Sequence, residues 1–146
     1  MVFIITFFIL FLDQLTKSFA TKNLSLNQSL PLIKGIFHLT LTHNRGAAFG
    51  IFRNQTKLFI FTSIFAIVFI LGIFKKNKYR RYSIYSISLA LILAGALGNL
   101  IDRLTLGYVI DFLDFRIWPV FNIADSAITV GAILLGYSIL KSGRTK

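Results

Sequence analysis

Four apolar runs decide what this chain can become: residues 2–20, 58–74, 84–101 and 123–140. Each is close to the roughly 20 residues that carry a helix across a bilayer core. Backbone amides find no water there, so a segment of this length must satisfy them internally, as a helix. Composition agrees, with 55% of the 146 residues hydrophobic and 14% charged, against about a quarter charged in a soluble domain. The expected fold is an all-α integral membrane protein with four transmembrane helices, a single membrane-embedded domain over 1–146. The first run is not read as a signal peptide, because it lacks a basic lead and contains Asp13 and Lys17.

The stretch 21–56 is too polar to span. Within it Phe37, Leu39 and Leu41 alternate with His38, Thr40 and Thr42, the period of a half-buried strand. A small extracytoplasmic β-containing segment is expected there.

A net charge of +11 raises the question of nucleic acid, but the basic residues sit at the ends of apolar runs. Lys75, Lys76, Lys78, Arg80 and Arg81 form one block, and Lys141, Arg144 and Lys146 trail the last run. Such blocks anchor helices on the cytoplasmic side, and no basic helix face suggests nucleic acid. Basic residues divide equally between the two sides, so density decides: the tight block predicts both termini on the cytoplasmic side. With no cysteine and two histidines, thiolate chemistry and a metal site are not expected, and no cofactor is called for.

Acid is rare: five residues, all aspartates. Asp102 and Asp125 lie in the polar clusters GNLIDR and FNIADS, at the ends of the third run and the start of the fourth. A carboxylate at the edge of hydrocarbon loses hydration and marks a functional hypothesis. At 1.5 Å per residue, residues 84–102 rise about 27 Å, which puts Asp102 at the outer face, level with Asp125. Ala90, Ala94, Gly98 and Asp102 recur every four residues; Asp125, Thr129, Ala132 and Gly136 give a second small-residue stripe. Small residues let membrane helices approach closely, so both stripes are expected to be packing faces. Plainer readings exist: Asn122 or Asp125 as a helix cap, Asp13 and Lys17 as an i,i+4 ion pair, and Asp111 and Asp114 as loop acids, Asp114 solvated. An ion-coupled transporter or a structural subunit of a membrane complex would also tolerate buried acids, but acids confined to one level and the absence of an internal repeat favour an enzyme.

Taken together, DQLTK (13–17), NRGAAFG (44–50), AGALGNLIDR (94–103), VIDF (109–112) and WPVFNIADS (118–126) resemble the lipoprotein signal peptidases, the type II signal peptidases of bacteria. The motifs occur in the family's order along nearly the whole chain. Two departures are visible: Ala94-Gly95 stands where members often have Gly-Gly, and no short basic lead precedes the first helix. The resemblance implies an intramembrane aspartyl endopeptidase. It removes the signal peptide from prolipoproteins before a diacylglyceryl-modified cysteine, and globomycin-type cyclic peptides inhibit it. It assigns the catalytic aspartates to Asp102 and Asp125. Asp13, Lys17, Asn44, Gly46, Asn99, Arg103, Asp111 and Asn122 are assigned as supporting or substrate-binding residues. The expected partners are the lipidated prolipoprotein and membrane lipid, with the enzyme itself a monomer.

Overall fold

The computed structural model describes residues 1–46, 55–76 and 83–143. Four helices account for the apolar runs: α1 (Val2–Asn23), α2 (Thr56–Lys76), α3 (Ile84–Thr105) and α4 (Ile123–Gly143). All four are long and apolar enough to cross a membrane. They outrun the expected bounds mainly at their C-terminal ends, where polar residues continue the helix past the hydrocarbon pattern. Ala47, Arg53, Lys78, Arg80, Arg81, Arg144 and Lys146, together with the rest of the 47–50 motif, lie outside the described residues.

Helix α3 is the axis of the bundle. It packs against α1, α2 and α4, whereas α2 touches α3 alone among the described helices. The reason is side-chain size: Ala90 and Ala94 are fully buried, and a Cβ added at Gly98 would stand 2.5 Å from the Asp13 carboxylate. A Cβ at Gly131 of α4 would stand 2.8 Å from the Ser88 carbonyl of α3. Close approach of this kind is how membrane helices gain packing energy without a hydrophobic driving force. The stripe expected on α3 is therefore a packing face. The stripe expected on α4 is not: Thr129, Ala132 and Gly136 are exposed, and Ala124, Ala127 and Gly131 are the buried small residues. Asp125 is only half-buried; spacing by four from it followed the edge of the interface instead of its centre.

At one end of the bundle lies a three-stranded antiparallel sheet in the order β1 (Ser29–Ile33), β2 (Phe37–Asn44), β3 (Val109–Asp114). The alternation at residues 37–42 lies within β2, as expected. The third strand comes from the VIDF segment, far away in sequence, so Asp111 and Asp114 are strand residues and not loop acids. One sheet face packs on the last turn of α1, where Leu41, Ile110 and Phe112 close over Ala20 and Leu24. Phe121 bridges back to Leu113, which folds the 115–121 loop against the sheet just before α4 begins.

Candidate active site

Two sets of carboxylates, all buried except the half-buried Asp125, meet where the sheet joins the bundle. The first is built on α1 and α3. Lys17 Nζ lies 2.8 Å from Asp13 and 2.9 Å from Asp102, and all three side chains are almost fully buried. Its third contact is Asn99 Oδ1, at 3.2 Å. Asp102 also accepts from Gln14 Nε2 at 3.0 Å and from the Ile110 amide at 3.1 Å. Asp13 spends its other oxygen on the Ala124 amide, 2.8 Å away in the first turn of α4. The i,i+4 pair expected on α1 is real, but it is half of a three-residue charge cluster.

The second set is built on β3 and α4 and contains amides in place of an ammonium. Asn122 Nδ2 donates to Asp111 at 2.7 Å and to Asn99 Oδ1 at 3.1 Å. Asn44 Nδ2 reaches the other Asp111 oxygen at 2.9 Å, and Asn44 is in turn held by the Gly46 amide at 2.9 Å. Asp125 accepts from Asn99 Nδ2 at 2.8 Å and from the Asn122 amide at 3.3 Å. The Asp125 amide donates back to Asn122 Oδ1 at 2.8 Å. That reciprocal exchange three residues apart is a capping box, so the plain reading of Asn122 as a cap holds, and the cap also aims Asp125.

Asn99 is the hinge between the sets, since its oxygen serves Lys17 and Asn122 while its nitrogen serves Asp125. Among the described residues no hydrogen bond joins Asp102 to Asp125; they are linked through Lys17 and Asn99, and through the Ile110 backbone and Asn122. Asp111 and Asp125 both contact Asn122 instead. Burial, followed by the negative charge of Asp125, pushes the Asp111 carboxyl up to about 7, against the pull of the Asn44 and Asn122 amides.

A cavity of about 450 Å³ opens beside this second set. Asp125, Asn99, Asn44, Gly46 and Arg103 line its polar end; Phe59, Ala66, Ile92 and Ile128 line its apolar flank. Asp102 lies outside that lining, and Asp111 sits one hydrogen bond behind Asn44. Arg103 points away from Asp102, as its place next in sequence on a helix requires, and stacks over Phe59 with 5.1 Å to the ring centroid. Its guanidinium faces the cavity. No group of three or more metal-ligating side chains occurs among the described residues.

The ten residues proposed from sequence all fall in or directly behind this site. Two sequence readings need correcting or extending. Asp114 is not solvated: it is buried, accepts from Thr40 Oγ1 at 2.7 Å and pairs with Arg116 at 3.0 Å. Gln14 was overlooked; its position beside Asp13 in DQLTK was the available signal, and it fixes the Asp102 oxygen that Lys17 leaves free.

A family model described as signal peptidase (SPase) II matches residues 5–141. This chain belongs to the signal peptidase II family. The lipoprotein signal peptidase of Caldanaerobacter subterraneus subsp. tengcongensis is 51% identical over 144 residues, 98% of each chain. That of Halothermothrix orenii is 47% identical over 135 residues, 92% of each. A bacterial membrane enzyme solved by the in meso method at 2.3 Å resolution superposes with a TM-score of 0.92 at 33% identity, covering 99% of this chain and 90% of the other. A second membrane-enzyme structure, at 1.9 Å resolution, gives 0.86 over 96% of this chain and 92% of that one. As a signal peptidase II, the protein is a membrane protease that processes prolipoproteins.

Proposed function

We propose that this signal peptidase II is an aspartyl endopeptidase of the bacterial inner membrane. It cuts diacylglyceryl-modified prolipoproteins just before the lipidated cysteine, through Asp111 and Asp125. The observation that carries the pairing is the shared Asn122 contact beside the cavity, with no cation among the described residues in hydrogen-bond contact with either carboxylate. Two carboxylates in one polar site do not both ionise cheaply, so the pair holds one proton. The ionised member takes a proton from water, and the protonated member donates toward the scissile carbonyl oxygen. An acid held near pH 7 suits Asp111 to the proton-carrying role. Asn99 orients Asp125, and Asn44 and Asn122 orient Asp111; Arg103, on the cavity wall, positions substrate.

The sequence-based pairing of Asp102 with Asp125 is the competing reading. It is disfavoured by geometry: Asp102 is occupied by Lys17, Gln14 and the Ile110 amide and does not line the cavity. Asp102, Asp13 and Lys17 instead form the platform that fixes Asn99. Both termini are cytoplasmic in this proposal, and the sheet end with its site faces outward.

The cavity wall explains lipid selection. Because α2 and α4 do not touch one another among the described residues, the cavity between them is taken to face lipid, and acyl chains lying along Phe59, Ile92 and Ile128 gain about 0.8 kcal/mol per buried methylene. Cleavage of a lipidated prolipoprotein peptide by purified Asp102→Asn, Asp111→Asn and Asp125→Asn variants tests the assignment. Loss of turnover in the Asp111 and Asp125 variants, with residual turnover in folded Asp102→Asn, supports it. An active Asp111→Asn with a folded but inert Asp102→Asn restores the other pairing. Equal cleavage of lipidated and unlipidated substrate sinks the lipid-selection part.

A further inference from the structure

The β1–β2 hairpin carries more bare hydrocarbon than a strand facing water tolerates. All five residues of β1 are exposed, and Leu30, Ile33 and Ile36 are 47%, 55% and 60% exposed. Register gives this surface a direction. Leu30 pairs with Leu39 and Ile33 with Phe37, a bulge absorbing Leu32 between them. Cross-strand partners project from the same face, so Leu30 and Ile33 extend the face of Leu39 and Leu41 that sits on the last turn of α1. The opposite face at this end is polar, with Ser29 bonded to His38 and Thr40, and Thr40 bonded to Asp114. The apolar face is thus covered where it overlies α1 and bare where it runs past it.

The flank of α1 leading to that turn exposes Leu15 and Phe19, a surface that belongs in hydrocarbon. Lys22 in the last turn of α1 and Lys34 at the hairpin tip are both exposed beside the patch. We propose that the hairpin embeds Leu30, Ile33 and Ile36 in the interfacial layer of the bilayer, with Lys22 and Lys34 among anionic headgroups. Continuity with the lipid-facing flank of α1, and the flanking positive charge, select lipid over a protein partner. The free edge of β1 stays hydrated at that depth, and Pro31 removes one of its donors. The consequence reaches the site, because β2 runs from this anchor to Asn44 and pairs with the strand carrying Asp111. The anchor therefore sets the height of the site against the membrane. The proposal rests on the helices spanning the membrane and is independent of which carboxylates react.

The absence of cysteine allows single nitroxide labels at Leu30→Cys, Ile33→Cys and Ile36→Cys, with Phe8→Cys on the lipid-exposed side of α1 as the reference. The full-length enzyme is placed in vesicles of phosphatidylethanolamine and phosphatidylglycerol, and prolipoprotein cleavage certifies that each variant is folded. Oxygen collisions should exceed those of a water-soluble nickel chelate at Ile33 and Ile36, as at Phe8, and Lys22→Glu with Lys34→Glu should shift both sites toward the chelate. Collisions dominated by the chelate overturn the proposal, and so does protection from both reagents, the signature of a covering protein. Ile36 lies in the turn outside the strands, so its label reports even if labels within β1 disturb pairing.

Discussion

The Lys17 cluster and the Asn122 cluster are built on the same acid with different partners. Asp13 and Asp102 share an ammonium at 2.8 and 2.9 Å; Asp111 and Asp125 are held by neutral amides. An ammonium within ion-pair distance engages a buried carboxylate as part of the framework, and removing it is costly. Amide donors orient a carboxylate yet leave its protonation open. In the proposed mechanism the division of labour between structure and chemistry follows the partners, not the aspartates.

The sharpest way to break the comparison is on activity. Asp125→Asn and Asp111→Asn should each lower kcat by about a thousandfold or more, the scale on which catalytic-unit losses fall, while keeping the helical circular dichroism of the parent. Next comes Lys17→Met, which strands two buried carboxylates; losing one partner of such a pair costs about 3–5 kcal/mol. It should show as failed accumulation in membranes or a collapsed melting temperature, whereas Asp111→Asn should not. Gly98→Ala forces a methyl to within 2.5 Å of the Asp13 carboxylate and should destabilise by about 1–3 kcal/mol, measured by thermal unfolding in detergent.

A smaller effect sharpens the pH side. Asp111 titrates at about 7 in the fold against an ordinary 3.8, so the fold favours its protonated form. That contribution to stability is whole below about pH 4 and is lost as pH rises through 7. Melting curves from pH 4 to 8 should show this decline, and Asp111→Asn should flatten it; an unchanged slope would refute the assignment. Gly136→Ala marks the bottom of the scale: a Cβ there meets nothing within 4 Å, and the change should stay within about 0.5 kcal/mol.

How legible the molecule was in its sequence follows the range of each interaction. The helices could be read because hydrocarbon thickness is a local rule about length. The strand character of residues 37–42 could be read because alternation is local too. The strand Val109–Asp114 could not, since it is short, carries two acids and is defined by pairing with β2, a long-range fact. Asp114 was misread for the same reason: its partners Thr40 and Arg116 come from another strand and from a turn with φ +65° at Arg116. On α4 the stripe was drawn from Asp125, a residue at the margin of the helix contact, so it ran along the exposed flank. Around the site, motif order pointed to residues that the fold brings together, but which carboxylates Lys17 reaches is a long-range fact that spacing does not contain.

The hydrogen bond from the Ala124 amide to Asp13, 2.8 Å long across 111 positions of chain, gives the enzyme a timetable. The first helix is threaded into the membrane long before the ribosome has made the last one. Until α4 arrives, Asp13 lacks that donor, Asn99 has no Asn122 to meet, and neither Asp125 nor its cap exists. In the proposed mechanism a nascent chain that lacks α4 therefore holds the platform without the blade, and proteolytic competence waits for α4.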